Sequence, residues 1–97
     1  MKDKYLLKNW SIYNIFFYSV AQGNVYDNPK FEDGTFITTS DILNFNIKED
    51  HLEIETRNSI YCIYQEDIDT DFKNDNPGYY EELYNRIKMK KEEVCIE

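Results

Sequence analysis

An aspartate-rich stretch in the second half of the chain has the residue types that bind a hard cation. Asp67, Asp69 and Asp71 follow the 1, 3, 5 spacing of a calcium-binding loop, in which alternate side chains reach the same ion. Phe72 occupies the position at which such a loop needs glycine for its sharp turn, and Gly78 occupies that of the closing bidentate glutamate. We therefore expect no calcium site, and interpret the stretch either as a solvated connector or as an acidic surface for a protein partner.

Histidine and cysteine, common metal ligands and catalytic groups, are scarce. The chain contains His51, Cys62 and Cys95 and no others of either type, whereas a disulfide framework or a four-ligand zinc site needs more such residues. No feature of the sequence brings Cys62 close to His51, and no phosphate-binding glycine motif or nucleophile elbow is present. We expect free thiols, no metal or other cofactor, and no enzymatic activity.

A separate group of polar residues combines hydroxyls, an amide and two cations, which are the groups that bind the phosphates and base edges of a small nucleotide. Its members are Lys30, Thr38, Thr39, Ser40, Arg57 and Asn58. The alternative interpretation is that the hydroxyls close a strand and that Asn58 forms a turn. Both interpretations stay open on the sequence alone.

Strands must position most of these side chains. Aromatic and β-branched residues dominate positions 5–26, which predicts one long strand or two shorter ones broken near Gly23. A short strand is predicted from Thr35 to Thr39. Apolar and polar residues alternate over 43–47 and again over 52–57, so these segments, followed by 60–64, predict a three-stranded antiparallel meander.

A helix is predicted over 77–93, after the acidic connector 65–76. Tyr80, Leu83, Tyr84 and Ile87 share the i, i+3, i+4, i+7 spacing that places them on one face of a helix. We expect a single α+β domain over 1–97, β-rich from 1 to 64. Its predicted fold is a small antiparallel sheet or partly open barrel of about five strands, with the C-terminal helix packed on it.

The charge of the chain is negative and unevenly distributed. The formal net charge is −8, and residues 32–76 carry twelve acidic side chains against three basic ones. Such a field repels nucleic acid and favours encounter with a basic protein surface. The candidate partner-binding acids are Glu53, Glu55, Glu66, Asp67, Asp69, Asp71 and Asp75. Aromatic side chains make up 16% of the residues, and any that stay exposed would add anchors for a partner or for a homo-oligomer.

Several segments of the first two thirds of the chain form a recognisable series. They are Trp10, then GNVYDNPKFEDGT from Gly23, ITTSDI from Ile37 and ETRNSIY from Glu55. Together they resemble a group of small, mostly uncharacterised proteins of phages and prophages. The small size, the acidity and the absence of catalytic motifs also resemble, as a class, phage inhibitors of bacterial defence such as anti-CRISPR proteins. The resemblance implies a mobile-element context and no particular activity.

The leading hypothesis is a non-enzymatic inhibitor whose acidic surface mimics nucleic acid and docks on a basic host effector protein. One alternative is a sponge that sequesters a small cyclic nucleotide signal near Arg57, and another is a phage accessory or structural protein without an inhibitory role. No apolar run approaches the length needed to span a bilayer, and the first ten residues do not read as a signal peptide. We expect a cytoplasmic location in a bacterial host cell and no membrane partner.

Overall fold

A six-stranded open sheet and a C-terminal helix form the protein. The computed structural model describes the backbone of residues 2–96 and the side chains of residues 2–90. The strands are β1 (Lys4–Ile15), β2 (Tyr18–Tyr26), β3 (Thr35–Thr38), β4 (Ile42–Ile47), β5 (Leu52–Thr56) and β6 (Ile60–Ile63). A 3₁₀ turn (Gln65–Asp67) and two helices, α1 (Thr70–Asp75) and α2 (Tyr79–Ile96), follow. The strands are ordered β3-β2-β1-β6-β5-β4.

The α+β class and the meander β4-β5-β6 are confirmed, whereas the strand count and the purely antiparallel sheet are wrong. There are six strands rather than about five, the sheet is open and not the partly open barrel that was the second alternative, and β1 pairs with β6 in parallel. β1 lies in the middle of the sheet, between β2 and β6. Its parallel pairing with β6 joins the β1-β2-β3 half of the sheet to the meander. Its register places Lys4 beside Ile60 and Leu6 beside Cys62.

The break between the first two strands falls at Phe16 and Phe17, not near Gly23. Gly23 lies inside β2, where a Cβ atom would stand 2.7 Å from the Lys8 carbonyl oxygen and 2.9 Å from Leu7 Cγ. Glycine is therefore needed at this position for the close approach of β1. Gly23 marks a packing requirement and not a turn.

One face of the sheet and the inner side of α2 make the core. Trp10 is fully buried, and its ring lies 6.1 Å from that of Tyr80 at the start of α2. Leu83 and Ile87 are buried against the sheet, and Tyr80 and Tyr84 pack at its margin, which confirms the predicted helical stripe. Burial of this stripe holds α2 on the sheet.

The acidic connector contains ordered structure. The Asp69 carboxylate accepts a hydrogen bond from the Phe72 amide at 3.0 Å and so caps the start of α1. Asn76 ends α1, and the long helix, predicted to begin at residue 77, starts at Tyr79 after Gly78, whose φ is +77°. Across the part of the chain that the structure describes, neither helix combines the length and the apolar character that crossing a membrane requires.

Candidate functional site

Two tyrosines, Tyr64 and Tyr80, mark a region where carboxylates from three segments come close together. Burial raises the pKa of the Tyr80 phenol, and nearby carboxylates, Glu66 foremost, raise it further. Burial and a similar set of negative charges raise the pKa of Tyr64. We call these carboxylates the acidic end, and they are Asp50, Glu66, Asp67 and Glu81. The β4-β5 turn, the 3₁₀ turn and the first turn of α2 each contribute to it.

The acidic end is held in place by the core. The Trp10 indole N–H donates to the Tyr64 carbonyl oxygen at 2.8 Å, and the Asp69 amide donates to the Trp10 carbonyl oxygen at 2.8 Å. The Gln65 side-chain amide in turn donates to the Glu81 carboxylate. The 3₁₀ turn is therefore tied to β1 on one side and to α2 on the other, which anchors the backbone that carries Glu66 and Asp67.

The acids predicted to bind a partner fall into different environments. Glu66, Asp71 and Asp75 are exposed and available to a partner. Asp67 is half-buried within the acidic end, and the cap that Asp69 provides commits its carboxylate to the fold. The same short segment thus contains both exposed acids and one acid that serves the fold.

The two glutamates of β5 differ from expectation. Glu55 is half-buried and pairs with Lys2, its carboxylate oxygen 2.9 Å from the ammonium nitrogen. Glu53 is only 4% exposed, so it cannot belong to an exposed acidic surface, and that assignment is wrong. It is buried because β5 lies between β4 and β6 and long side chains cover the face of the sheet opposite α2. The Lys4 ammonium, 2.9 Å from Glu53 Oε2, compensates the buried charge.

Glu53 instead lies in a cluster with His51 and Cys62. Their imidazole nitrogen, carboxylate oxygen and sulfur atoms all lie within 4.8 Å of one another. Cys62 is a free thiol among the described side chains, and burial, followed by the charge of Glu53, raises its pKa. Cys95 falls outside the side chains that the structure describes.

The register of the meander explains why these three residues meet. Glu53 is the direct partner of Cys62 across the β5-β6 pair, and His51 lies two residues before Glu53, on the same side of the chain. The alternation that predicts the meander indicates which residues share a face of the sheet. The register of β5 against β6 also depends on the length of the turn at Asn58, which the sequence left open.

Part of the proposed nucleotide group does come together. Thr38, Thr39, Ser40 and Arg57 line an open pocket of about 560 Å³, and neither Lys30 nor Asn58 belongs to its lining. The remaining lining residues are Ile15, Tyr18, Val20 and Asp41.

Polar groups of this pocket are already engaged within the protein. The Thr39 hydroxyl accepts from the Ala21 amide at 3.0 Å and donates to the Ser40 carbonyl oxygen at 2.8 Å. The Arg57 guanidinium makes two hydrogen bonds to Asp41, at 3.2 and 3.0 Å. The interpretation that a hydroxyl closes a strand therefore holds for Thr39, and an incoming anion would compete with a carboxylate for Arg57.

Exposed aromatic residues gather at the tip of the β1-β2 hairpin. Phe16 and Phe17 are 92% and 103% exposed, and they form a two-residue turn that carries neither glycine nor asparagine. Phe16 has φ +53°, a conformation that bulky residues rarely adopt. Tyr13 and Tyr18 on the flanking strands are also exposed. We call these four residues the aromatic tip.

Comparison of the chain with family models, with curated proteins and with solved structures gives no match. The resemblance to small phage proteins accordingly stays a prediction.

Proposed function

We propose that this protein is a non-enzymatic binding protein that docks on a basic protein surface through its acidic end, in the manner of phage inhibitors of bacterial defence. The observation that carries the proposal is that carboxylates from three separate segments surround two phenols, since Asp50 and Glu66 raise the pKa of both Tyr64 and Tyr80, Asp67 that of Tyr64 and Glu81 that of Tyr80. Like charges that lie near one another repel, and a basic partner surface relieves that repulsion in the complex.

The neighbouring helix extends the negative surface. From 66 to 75 there are five acidic residues against Lys73 alone, and the exposed Asp71 and Asp75 lie on α1. Fixed carboxylates can occupy the places of phosphate oxygens on an effector that normally binds nucleic acid, since both present anionic oxygens to lysine and arginine. This property supports an inhibitor that competes with nucleic acid.

Exposed aromatic rings provide the apolar part of the contact. The Tyr13 ring lies 5.8 Å from the Phe72 ring, edge to face, so the base of the aromatic tip adjoins α1 and its acids. Charged groups mainly speed and orient an encounter, whereas buried aromatic anchors supply much of the binding free energy. The two surfaces together fit a docking role better than either does alone.

A matched pair of charge reversals tests the proposal. E66K/D71K inverts two exposed acids of the proposed surface, and the control D3K/E32K makes the same charge change at exposed positions outside it. Asp69 is left unchanged because its reversal would remove the α1 cap. Immobilised wild type and both variants are incubated with bacterial lysate, and captured proteins are quantified by mass spectrometry.

We expect a set of basic proteins that the wild type and D3K/E32K retain and that E66K/D71K loses by about tenfold or more. Duplex DNA added as competitor should displace the same set. Equal capture by all three proteins, or a set that DNA does not displace, would contradict the proposal.

The pocket beside Arg57 supports a second candidate, a sponge for a small cyclic nucleotide. A volume of about 560 Å³ lies within the usual range for small-molecule sites, and hydroxyls and a guanidinium line it. A ligand at 100 times its Kd should raise the unfolding free energy by about 2.7 kcal/mol, which a thermal-shift screen of cyclic mono- and dinucleotides detects. The shift should disappear in R57Q, and no shift across the panel would exclude this candidate.

A further inference from the structure

We propose that His51, Glu53 and Cys62 form a binding site for one divalent transition-metal ion of the zinc type. Their donor atoms lie within 4.8 Å of one another on the face of the sheet opposite α2. Donors about 2.0–2.3 Å from a tetrahedral zinc ion are roughly 3.3–3.8 Å apart. The cluster thus needs to contract by about 1 Å, which rotation of side chains supplies without moving the strands.

The imidazole of His51 is oriented as a metal ligand. Its Nδ1 lies 2.7 Å from the Asp50 carboxylate, and because an ionised carboxylate only accepts, the ring donates its Nδ1 proton there. In the neutral ring Nε2 then bears the lone pair. A carboxylate that holds the distal N–H of a histidine in this way is the usual support of a zinc-binding imidazole. The Tyr64 ring stacks on His51 at 4.9 Å between centroids and fixes the plane of the imidazole.

An orphaned acceptor supports the site independently of the cluster itself. His51 Nε2 is buried, has no hydrogen-bond partner among the described residues, and lies 3.8 Å from Glu53 Oε2. A lone pair facing a carboxylate across such a gap is unfavourable unless a cation lies between them. A metal ion would satisfy both atoms.

The third donor favours a metal over a proton. Protonation of His51 would also relieve the contact between its Nε2 and the Glu53 carboxylate, but it would give the Cys62 sulfur no role. A set of one nitrogen, one oxygen and one sulfur matches zinc and cobalt rather than calcium or magnesium, which prefer oxygen alone. Three protein ligands leave the fourth position to water.

Lys4 and Lys48 oppose the binding of a cation. The Lys4 ammonium is 2.9 Å from Glu53 Oε2, and that of Lys48 is 4.0 Å from Oε1. Lys4 is more than half exposed, so its side chain can swing into solvent while Glu53 turns toward the ion. The residual repulsion predicts that K4M binds the metal several-fold more tightly than the wild type, whereas K30M, at an exposed position outside the cluster, does not.

Titration of the reduced, tag-free protein with Co²⁺ tests the site, because a thiolate ligand gives a charge-transfer band and tetrahedral cobalt gives visible bands. We expect both bands in the wild type and in C95S, their loss in C62S, and displacement of the cobalt by Zn²⁺. H51Q and E53Q should weaken binding by at least about tenfold. Circular dichroism identifies any variant that fails to fold.

Two results for the cobalt bands would overturn the proposal. One is a wild-type protein that shows no cobalt band. The other is a cobalt band that persists unchanged in H51Q or that is altered in C95S, since either result would indicate adventitious binding by a thiol. The comparison of K4M with the wild type tests the proposal even if a ligand variant does not fold. Equal metal affinities of the two proteins would indicate that the metal binds elsewhere.

Discussion

The indole N–H of Trp10 donates to the carbonyl oxygen of Tyr64 at 2.8 Å, and this bond joins the central strand β1 to the turn that carries Glu66 and Asp67. Trp10 sits just after Asn9, whose φ is +51°, at the irregularity where the β1-β2 register shifts. The bulge turns the side chain of Trp10 into the core, where it reaches the turn. The position of the acidic end thus depends on a residue in a distant part of the sequence.

Replacement of Trp10 tests that dependence. W10F keeps an aromatic ring but leaves the Tyr64 carbonyl without its donor and opens a small cavity, so the free energy of unfolding should fall by about 2–3 kcal/mol. Urea denaturation measures the change. Y18F, which removes a hydroxyl from an exposed ring, serves as the control and should change stability little. Equal stability of W10F and the wild type would show that the bond does not hold the turn.

Two glycines should respond differently to alanine. G23A places a Cβ 2.7 Å from a β1 carbonyl oxygen and should cost about 3 kcal/mol, because backbone has to move. The Cβ that G78A adds would have no atom within 4 Å. Only the φ of +77° disfavours alanine there, which should lower the free energy of unfolding by about 1 kcal/mol. Denaturant midpoints of the two variants check the order. The reverse order would contradict the close β1-β2 approach.

The strained turn of the aromatic tip should trade stability against binding. Phe16 has φ +53°, which costs a bulky residue more than it costs glycine, so F16G should be more stable than the wild type by about 0.5–1 kcal/mol. The matched variant F17G removes a ring of the same size without relieving a positive φ and should not gain stability. Both should weaken capture of basic proteins. Unchanged capture by both would exclude the aromatic tip from the interface.

Stability should fall in alkaline solution. Burial raises the pKa values of Tyr79 and Tyr80 above their ordinary value of 10.0. The unfolded chain therefore releases these protons at lower pH than the folded chain does. The stabilisation is complete below the unfolded pKa and is lost as pH rises through the folded pKa. Urea midpoints between about pH 8 and about pH 11 measure the decline, and Y80F should show a smaller one. An equal decline in Y80F would contradict the burial of this phenol.

Local patterns predicted most of the secondary structure. Alternation over 43–57 identified the meander, and the spacing of Leu83 and Ile87 identified the face of α2 that packs on the sheet. These features depend on neighbours in sequence, which periodicity reports directly. The Phe16-Phe17 turn was missed because it uses none of the residues that favour tight turns, and Gly23 was misleading because it serves packing.

The candidate sites depended on contacts that periodicity does not report. The parallel β1-β6 pair is formed by distant segments, and it places Lys4 over Glu53. The sequence pattern therefore predicts Glu53 to be a surface acid, although it is buried and paired. Part of the acidic end was predicted, because Glu66 and Asp67 are neighbours in one acidic segment, where the first is exposed and the second half-buried. Asp50 and Glu81 are distant from them in sequence and join the acidic end only through the fold.

Zero-length carbodiimide crosslinking tests the docking proposal most directly, because it joins a carboxylate to a lysine of whatever protein lies against it. The protein is crosslinked in bacterial lysate at low salt, and the linked carboxylates are mapped by mass spectrometry. We expect intermolecular links at Asp50, Glu66, Asp71 and Glu81 that are lost at about 0.5 M salt. Links concentrated at Asp27 and Glu32, or spread evenly over the exposed acids, would contradict it.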